Sequence, residues 1–419
     1  MTRTTRLDDL AEPRHAPAVR EQLEAAKSIA PTLSFEIDAL CAQAVAETGL
    51  SDFGSDSFRP GLEALLESLR SERPFSAFGR VSKHAEILRF LRNRLCVEDL
   101  FARHPEAEDV EIARPIVITG FPRTGTTHLH NAMAADPALR TLPYWEALEP
   151  VLPGEEPAPF RETDPRIARC RAALEWVNGA MPHFPKMHDM TWDHAHEEID
   201  LLALDFSTMY LEAPGPLRAY SEWYEESDKT ASYRYMKRAL QAITFLRGGD
   251  RWALKTPQHL ELLPVLAEVF PDATLVINHR DPLPIVASYL TMMTYTARLA
   301  QDHPDPHGLG AFLVDRVGDM LDACVRDRDV WPATQSIDIA FHELVADGDA
   351  MVARAYAKAG QPLDDVSKRA IADYARTHPQ GRHGRIDYDL ADFGLDAGHL
   401  RERFRKYTDR FAVRLEMEA

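Results

Sequence analysis

The residues with the clearest chemistry form the run Gly120-Phe121-Pro122-Arg123-Thr124-Gly125-Thr126-Thr127. Two glycines allow a backbone to turn its N–H groups toward an anion. A helix beginning directly after them adds positive potential at the same point. Arg123 contributes a permanent cation, and Thr126 and Thr127 contribute hydroxyl donors. Gly120, Pro122, Arg123, Thr124, Gly125, Thr126 and Thr127 are therefore the candidate phosphate cradle. The glycine spacing matches a Walker A loop, but Thr126 stands where that loop carries its lysine, so a firm grip on the β- and γ-phosphates of a nucleoside triphosphate is not expected. A second pair lies downstream: Arg280 in His279-Arg280-Asp281-Pro282, and Ser288 eight residues later. They could converge on one phosphate, the arginine bidentate and the serine donating its hydroxyl.

The surrounding pattern positions both groups. Ile116-Val117-Ile118 is a β-branched run ending at the first glycine, and Leu129, Ala132 and Met133 share one face of the helix that follows. Thr256 and Pro257 read as a helix start, with Leu260, Leu263, Leu266 and Phe270 as its apolar stripe. Buried strands are expected at Thr274–Ile277 and Ile337–Phe341. Alternating strands and helices predict an α/β fold: a P-loop-like parallel sheet flanked by helices, with ligands outside the carboxyl ends of the strands. Residues 1–15 are expected to be a disordered arm and 16–104 a helical N-terminal cap broken at Gly49–Gly54, with no strand before Ile112. Residues 105–419 would form the α/β domain, with 151–251 as a helical insertion lining an acceptor site.

Composition narrows the function. The 419 residues include 48 Lys+Arg against 66 Asp+Glu, a net charge of -18. Such a chain repels polyanions in general, so a phosphate ligand needs a local basic pocket and nucleic-acid binding is not expected. Only nine residues are lysines, which makes each one beside a motif informative. Cys41, Cys96, Cys170 and Cys324 have neither disulfide-scaffold nor zinc spacing and read as buried, reduced thiols. No long apolar run or signal-like N-terminus is evident, so the expectation is a cytoplasmic protein without a membrane span, monomeric or homodimeric. The heavy use of Arg, Ala and Asp points to a GC-rich, bacterial genome.

The Pro-Arg-Thr-Gly-Thr-Thr run at 122–127 resembles the 5′-phosphosulfate loop of sulfotransferases that use 3′-phosphoadenosine 5′-phosphosulfate (PAPS). Arg280 with Ser288 resembles the family's 3′-phosphate signature. Lys255-Thr256-Pro257, 25 residues before Arg280, resembles an element of the bacterial and tyrosylprotein branches in which the lysine approaches the sulfuryl group. Arg382, His383 and Arg385 fall in a stretch similar to the C-terminal loop that closes on the nucleotide. The resemblance implies a PAPS-dependent sulfotransferase of a bacterial type related to the tyrosylprotein branch, with PAPS as co-substrate and no metal. A nucleoside triphosphate-dependent kinase or ATPase and a non-catalytic nucleotide-binding protein are the alternatives.

Sulfuryl transfer to a hydroxyl needs a base. His183, His188, His194, His196, Glu197 and Glu198 cluster between Pro182 and Glu198. Lys186-Met187-His188 resembles the Lys-x-His element of cytosolic sulfotransferases, which makes His188 the expected base, with Glu198 orienting it or binding the acceptor. Glu146 lies near the position of the tyrosylprotein-branch base but about two residues out of step, and is the competing candidate. Arg123 and Lys255 complete the expected catalytic set. Trp176, Phe184, Met187, Trp192, Met209, Tyr210, Met292 and Met293 would suit a small apolar acceptor such as a phenol, alcohol or lipid.

Overall fold

The computed structural model describes residues 4–72, 75–213, 215, 217–379 and 383–417. Among them lie eight short strands: β1 (Thr4–Arg6), β2 (Ile116–Thr119), β3 (Leu142–Pro143), β4 (Ala195–His196), β5 (Ala253–Lys255), β6 (Thr274–His279), β7 (Ser336–Ala340) and β8 (Arg385–Asp387). The central sheet is wholly parallel, in the order β5-β2-β6-β7. The chain adds β5 on one side of β2 and then β6 on the other, so the strand order reverses around β2. That is where an open parallel sheet leaves a crevice at its carboxyl end.

Strand alternation explains the layers. Val117, Leu275 and Ile277 face one hydrophobic cluster, while Ile116, Ile118 and Val276 face the other. The second cluster is closed by Leu129 and Met133 from the helix Thr126–Ala134 and by Val352 and Tyr356 from Gly348–Ala359. The first runs continuously from Leu7 to Tyr407 and takes in the N-terminal helices. Four of these, Pro17–Ile29, Ile37–Thr48, Phe58–Ser71 and Ala77–Arg103, fill the region expected to be helical. They share the core of the sheet and are not a separate unit. The stretch 151–251 behaves similarly: Tyr233, Met236 and Leu240 of its helix Thr230–Arg247 are fully buried in the same cluster.

The expected disordered arm is corrected over residues 4–15, and with it the expectation of no strand before Ile112. β1 pairs in parallel with β8, Leu7 and Leu10 are buried, and Asp9 accepts Arg298 Nη2 at 2.9 Å. A polar segment shows no periodicity of its own, and long-range pairing supplies its order. Thr256 also departs from expectation: its side chain makes no cap bond, and the helix it was expected to start is split into a 3₁₀ turn, Pro257–Glu261, and a short helix, Leu263–Val269. The four cysteines are free and buried, and among the described residues no helix is long and apolar enough to cross a membrane.

One buried ion pair ties the helical layer to the rest. Arg94, fully buried, donates to Asp205 at 2.9 Å, to the Leu204 carbonyl at 3.1 Å and to the carbonyls of Phe53 and Ser55 at 2.7 Å each. The Gly49–Gly54 break in the sequence is thus a loop folded over a buried guanidinium. Removing the carboxylate would leave that charge uncompensated. Asp205→Ala is expected to cost about 3–5 kcal/mol, read from the urea midpoint. Asp387→Ala, whose exposed carboxylate lies 4.0 Å from Arg6, should shift stability by less than about 0.5 kcal/mol.

Candidate active site

The phosphate loop, the Lys255 element and the Arg280 motif all lie at the carboxyl edge of this sheet. The loop leaves β2 at Gly120, Lys255 closes β5, and Arg280 follows β6 directly. Gly120 has φ +149°, and a Cβ there would lie 2.7 Å from the Asn278 carbonyl oxygen. Only glycine permits the loop to turn so close to β6. Gly125, at φ +89°, precedes the first residue of the helix Thr126–Ala134. The first N–H groups of that helix have no intrahelical acceptor and point into the turn.

Among the described residues Arg123 is one of four non-glycine residues with positive φ, at 76°. Such a conformation persists where the surroundings impose it. Arg280 Nη1 donates to the Arg123 carbonyl at 2.8 Å, Arg123 Nε donates to Ser288 Oγ at 3.0 Å, and Arg123 Nη1 donates to the Met187 carbonyl. The two phosphate motifs, 165 residues apart from Arg123 to Ser288, are therefore one assembly. Tyr388, just beyond β8, is a further partner of the Arg123 side chain. Burial lowers the Arg123 pKa, with the Arg280 charge acting in the same direction. Two guanidinium groups held this close form a site for an anion.

Arg280 is engaged in a way the sequence did not indicate. Its Nε and Nη2 donate to the two carboxylate oxygens of Glu416, each at 2.8 Å, and its guanidinium lies 3.9 Å above the Phe341 ring. The tail carrying Glu416 is anchored by its own N–H on Asp281 at 2.6 Å and by that of Met417 at 3.2 Å. A bidentate oxyanion thus rests on Arg280. No motif spacing marked Glu416; a carboxylate near the end of a charged tail is an ordinary feature.

Thr124 is corrected. Its hydroxyl is fully buried and donates to the Phe121 carbonyl at 2.7 Å, so the side chain braces the loop and does not face a ligand. Thr126 is nearly buried, whereas Thr127 is half-exposed and its Oγ1 accepts from Lys255 Nζ at 3.3 Å. Lys255 Nζ also pairs with Glu197 Oε1. The scarce lysine therefore does stand beside the phosphate loop. Glu197, among the candidates but not favoured, is the carboxylate that reaches it.

Glu198 and Glu146 are both corrected. Glu198 is fully buried; its oxygens accept from the Lys255 backbone N–H at 2.9 Å and from His259 Nε2 at 2.6 Å, and Tyr233 donates to His259 Nδ1 at 2.8 Å. Burial would raise its pKa, but the His259 and backbone bonds hold it below the usual carboxylate range. It fixes the end of β5 and does not orient His188. Glu146 is likewise fully buried, clamped between Arg140 and Arg247. Burial opposes ionisation there, yet both arginines keep the carboxyl below its ordinary pKa. It has neither the exposure of a base nor a charge free of its two arginines.

His188 lies half-buried beside His194, Lys255, His196 and Arg123. Burial first, and then the positive charge nearby, push its pKa well below the usual histidine value, so the ring is neutral at pH 7. Among the described residues none hydrogen-bonds its nitrogens, whereas both nitrogens of His194 and of His196 are engaged. His188 thus has basic capacity that His194 and His196 lack. His383 pairs with Asp189 at 3.0 Å and so connects the C-terminal loop to the His188 segment. Arg385 is exposed on β8, and Arg382 lies outside the described residues.

Of the expected acceptor-wall residues, Met209 and Met293 line a small cavity together with Phe121, Tyr289, Phe312, Met320 and the ion pair of Glu212 and Arg316. Phe121 and Tyr289 meet edge to face at 5.2 Å. Met187 belongs to the core, and Trp176 stacks on Phe78 at 5.5 Å. Among the described residues no group of three or more His, Cys, Asp or Glu side chains could hold a metal ion.

The comparisons agree with this geometry. A model of the sulfotransferase family matches residues 115–365. The chain is 25% identical over 259 residues to the omega-hydroxy-beta-dihydromenaquinone-9 sulfotransferase Stf3 of Mycobacterium bovis and to that of Mycobacterium tuberculosis, covering 61% of this chain. The match spans 64% of the length of these curated relatives. The fold superposes on the crystal structure of sulfotransferase STF9 from Mycobacterium avium with a TM-score of 0.82 and 28% identity, over 92% of this chain and 99% of that one. For sulfotransferase STF1 from Mycobacterium tuberculosis the TM-score is 0.76 and the identity 30%, over 88% and 98% of the two chains. With the family model matching more than half of its length, the chain belongs to the sulfotransferase family.

Proposed function

We propose that the protein transfers the sulfuryl group of PAPS to a hydroxyl on an apolar acceptor. The observation that carries this reading is the junction of Arg123, Ser288 and Arg280, which turns two distant motifs into one anion site. In this reading Arg280 and Ser288 hold the 3′-phosphate, and the N–H groups and hydroxyls at Thr126 and Thr127 hold the 5′-phosphate. The acceptor oxygen bonds to sulfur while the bond from sulfur to the phosphate oxygen breaks. The hydroxyl proton passes to a nitrogen of His188. Negative charge grows on the departing oxygen, where Arg123 and Lys255 can meet it once the ligand has taken the place of their present partners.

The acceptor reading rests on the cavity beside Phe121 and on the Stf3 relatives, named for an omega-hydroxylated dihydromenaquinone. Flexible methionines at positions 209, 293 and 320 suit a wall that yields to an apolar chain. Peptide tyrosine is the less supported acceptor, because Glu146, which stands nearest the base position of the tyrosylprotein branch, is locked between two arginines.

Two outcomes test these roles. Arg280→Ala should weaken adenosine 3′,5′-bisphosphate roughly 10- to 150-fold, the value of a charged hydrogen-bonded contact, while adenosine 5′-monophosphate binds as to the wild type. Titration calorimetry with both ligands reads this, and equal losses would remove Arg280 from the 3′-phosphate. His188→Ala should lower turnover of an aliphatic alcohol by about 10²–10⁴ with nucleotide affinity retained. Because the folded His188 pKa is depressed, the wild-type acid limb of kcat/KM should lie below the ordinary histidine value of about 6.5. A limb above that value would contradict the assignment.

A further inference from the structure

Behind His188 stands a chain of groups that the transfer reaction does not touch. His194 Nδ1 contacts the Thr191 carbonyl, His194 Nε2 lies 3.1 Å from His196 Nδ1, and His196 Nε2 lies 3.0 Å from Asp200 Oδ2. Arg89 donates to the other Asp200 oxygen at 2.8 Å. Proton bookkeeping along this chain has one solution. A carbonyl only accepts, so His194 Nδ1 carries hydrogen. Burial would raise the Asp200 pKa, but Arg89 and His196 hold it low, so the carboxylate accepts and His196 Nε2 carries hydrogen. If both rings were neutral, two bare lone pairs would face each other at 3.1 Å. A hydrogen bond there requires one additional proton.

We propose that His194, His196 and Asp200 hold a resident proton behind His188, making His196 a fixed cation that keeps the His188 ring neutral and ready to take the acceptor's proton. The proposal rests on His188 as the base. His196 is the ring that carries the charge: Asp200 lies against it, and the Tyr144 ring packs on it at 4.5 Å. His194 is held neutral, its pKa lowered to about 3 by burial and by the His196 charge.

The other charged neighbours leave this assignment intact. From the helix after the phosphate loop, His130 donates Nε2–H to the Ala253 carbonyl and is neutral, its pKa lowered to about 4 by burial. From the helix Ala77–Arg103, Arg89 is matched by Asp200, and Glu86 pairs with Lys83 at 2.6 Å. From β5, Lys255 is matched by Glu197, and Glu198 is taken up by His259. Glu146, on the same short helix as Tyr144, is spent on Arg140 and Arg247. The chain acts by charge: His194 presents its edge to His188, with ring centroids 6.4 Å apart, and no hydrogen bond joins them. During transfer the acceptor proton goes to His188 and the resident proton stays where it is. His194, His196 and Asp200 are positioning residues.

Histidine-selective ¹⁵N NMR of the wild-type protein near pH 7.5, about one unit above an ordinary imidazole, tests this directly. One ring should show both nitrogens protonated, and that signal should be absent from His196→Gln and from Asp200→Asn. If His196 is neutral in the folded wild type, the proposal is overturned, whatever the variants do. Kinetics give the second readout. Removing a cation beside His188 raises its pKa, so His196→Gln should move the acid limb of kcat/KM upward by about one pH unit. A uniform loss of activity with an unmoved limb would mean that His196 is merely structural and would overturn the proposal. Wild-type turnover by His188→Ala, with the imidazolium signal still present, would overturn it through its base and leave the relay standing.

Discussion

The bond from Arg280 to the Arg123 carbonyl is the constraint on which the site depends. It crosses from the end of β6 to the end of β2 and holds a non-glycine residue in the left-handed region. With the backbone so fixed, the Arg123 side chain can reach Ser288 on one side and the Met187 carbonyl on the other. Three segments that meet nowhere in sequence are thereby joined: the phosphate loop, the helix Pro282–Ala300 and the acceptor segment that carries His188.

Concentrated positive charge is the cost of that arrangement. A chain of net charge -18 places Arg123, Arg280 and Lys255 at one sheet edge, where each would repel the others. The structure answers each cation locally. Glu416 covers Arg280, Glu197 covers Lys255, and Tyr388 and Ser288 reach Arg123. These partners are carboxylates and hydroxyls, groups that a phosphate or sulfate can replace bond for bond.

The sheet and its phosphate edge were legible in the sequence because their signals are local. β-branched runs, glycines at turns and Arg280 with Ser288 on adjoining elements need only a few neighbouring residues to be read. What the sequence withheld is set by distant contacts. The order of residues 4–15 comes from pairing with β8 and from the Asp9–Arg298 contact. Glu198 and Glu146 have the composition of catalytic carboxylates, and only their fully paired, buried surroundings reveal them as struts. Conversely, His194 and His196 look like spare bases in a list of residues. Their hydrogen bonds disqualify them as bases, whereas His188 has a lone pair to offer.

A crystal structure of the full chain with adenosine 3′,5′-bisphosphate would test the central claim most directly, because every assigned contact is a measurable distance. The account predicts the 3′-phosphate between Arg280 and Ser288, with the Glu416 carboxylate displaced from Arg280. It also places the 5′-phosphate against the N-terminus of the helix Thr126–Ala134, within reach of Arg123 and Lys255. A nucleotide bound elsewhere, or one seated in the loop while Glu416 still holds Arg280, would contradict it.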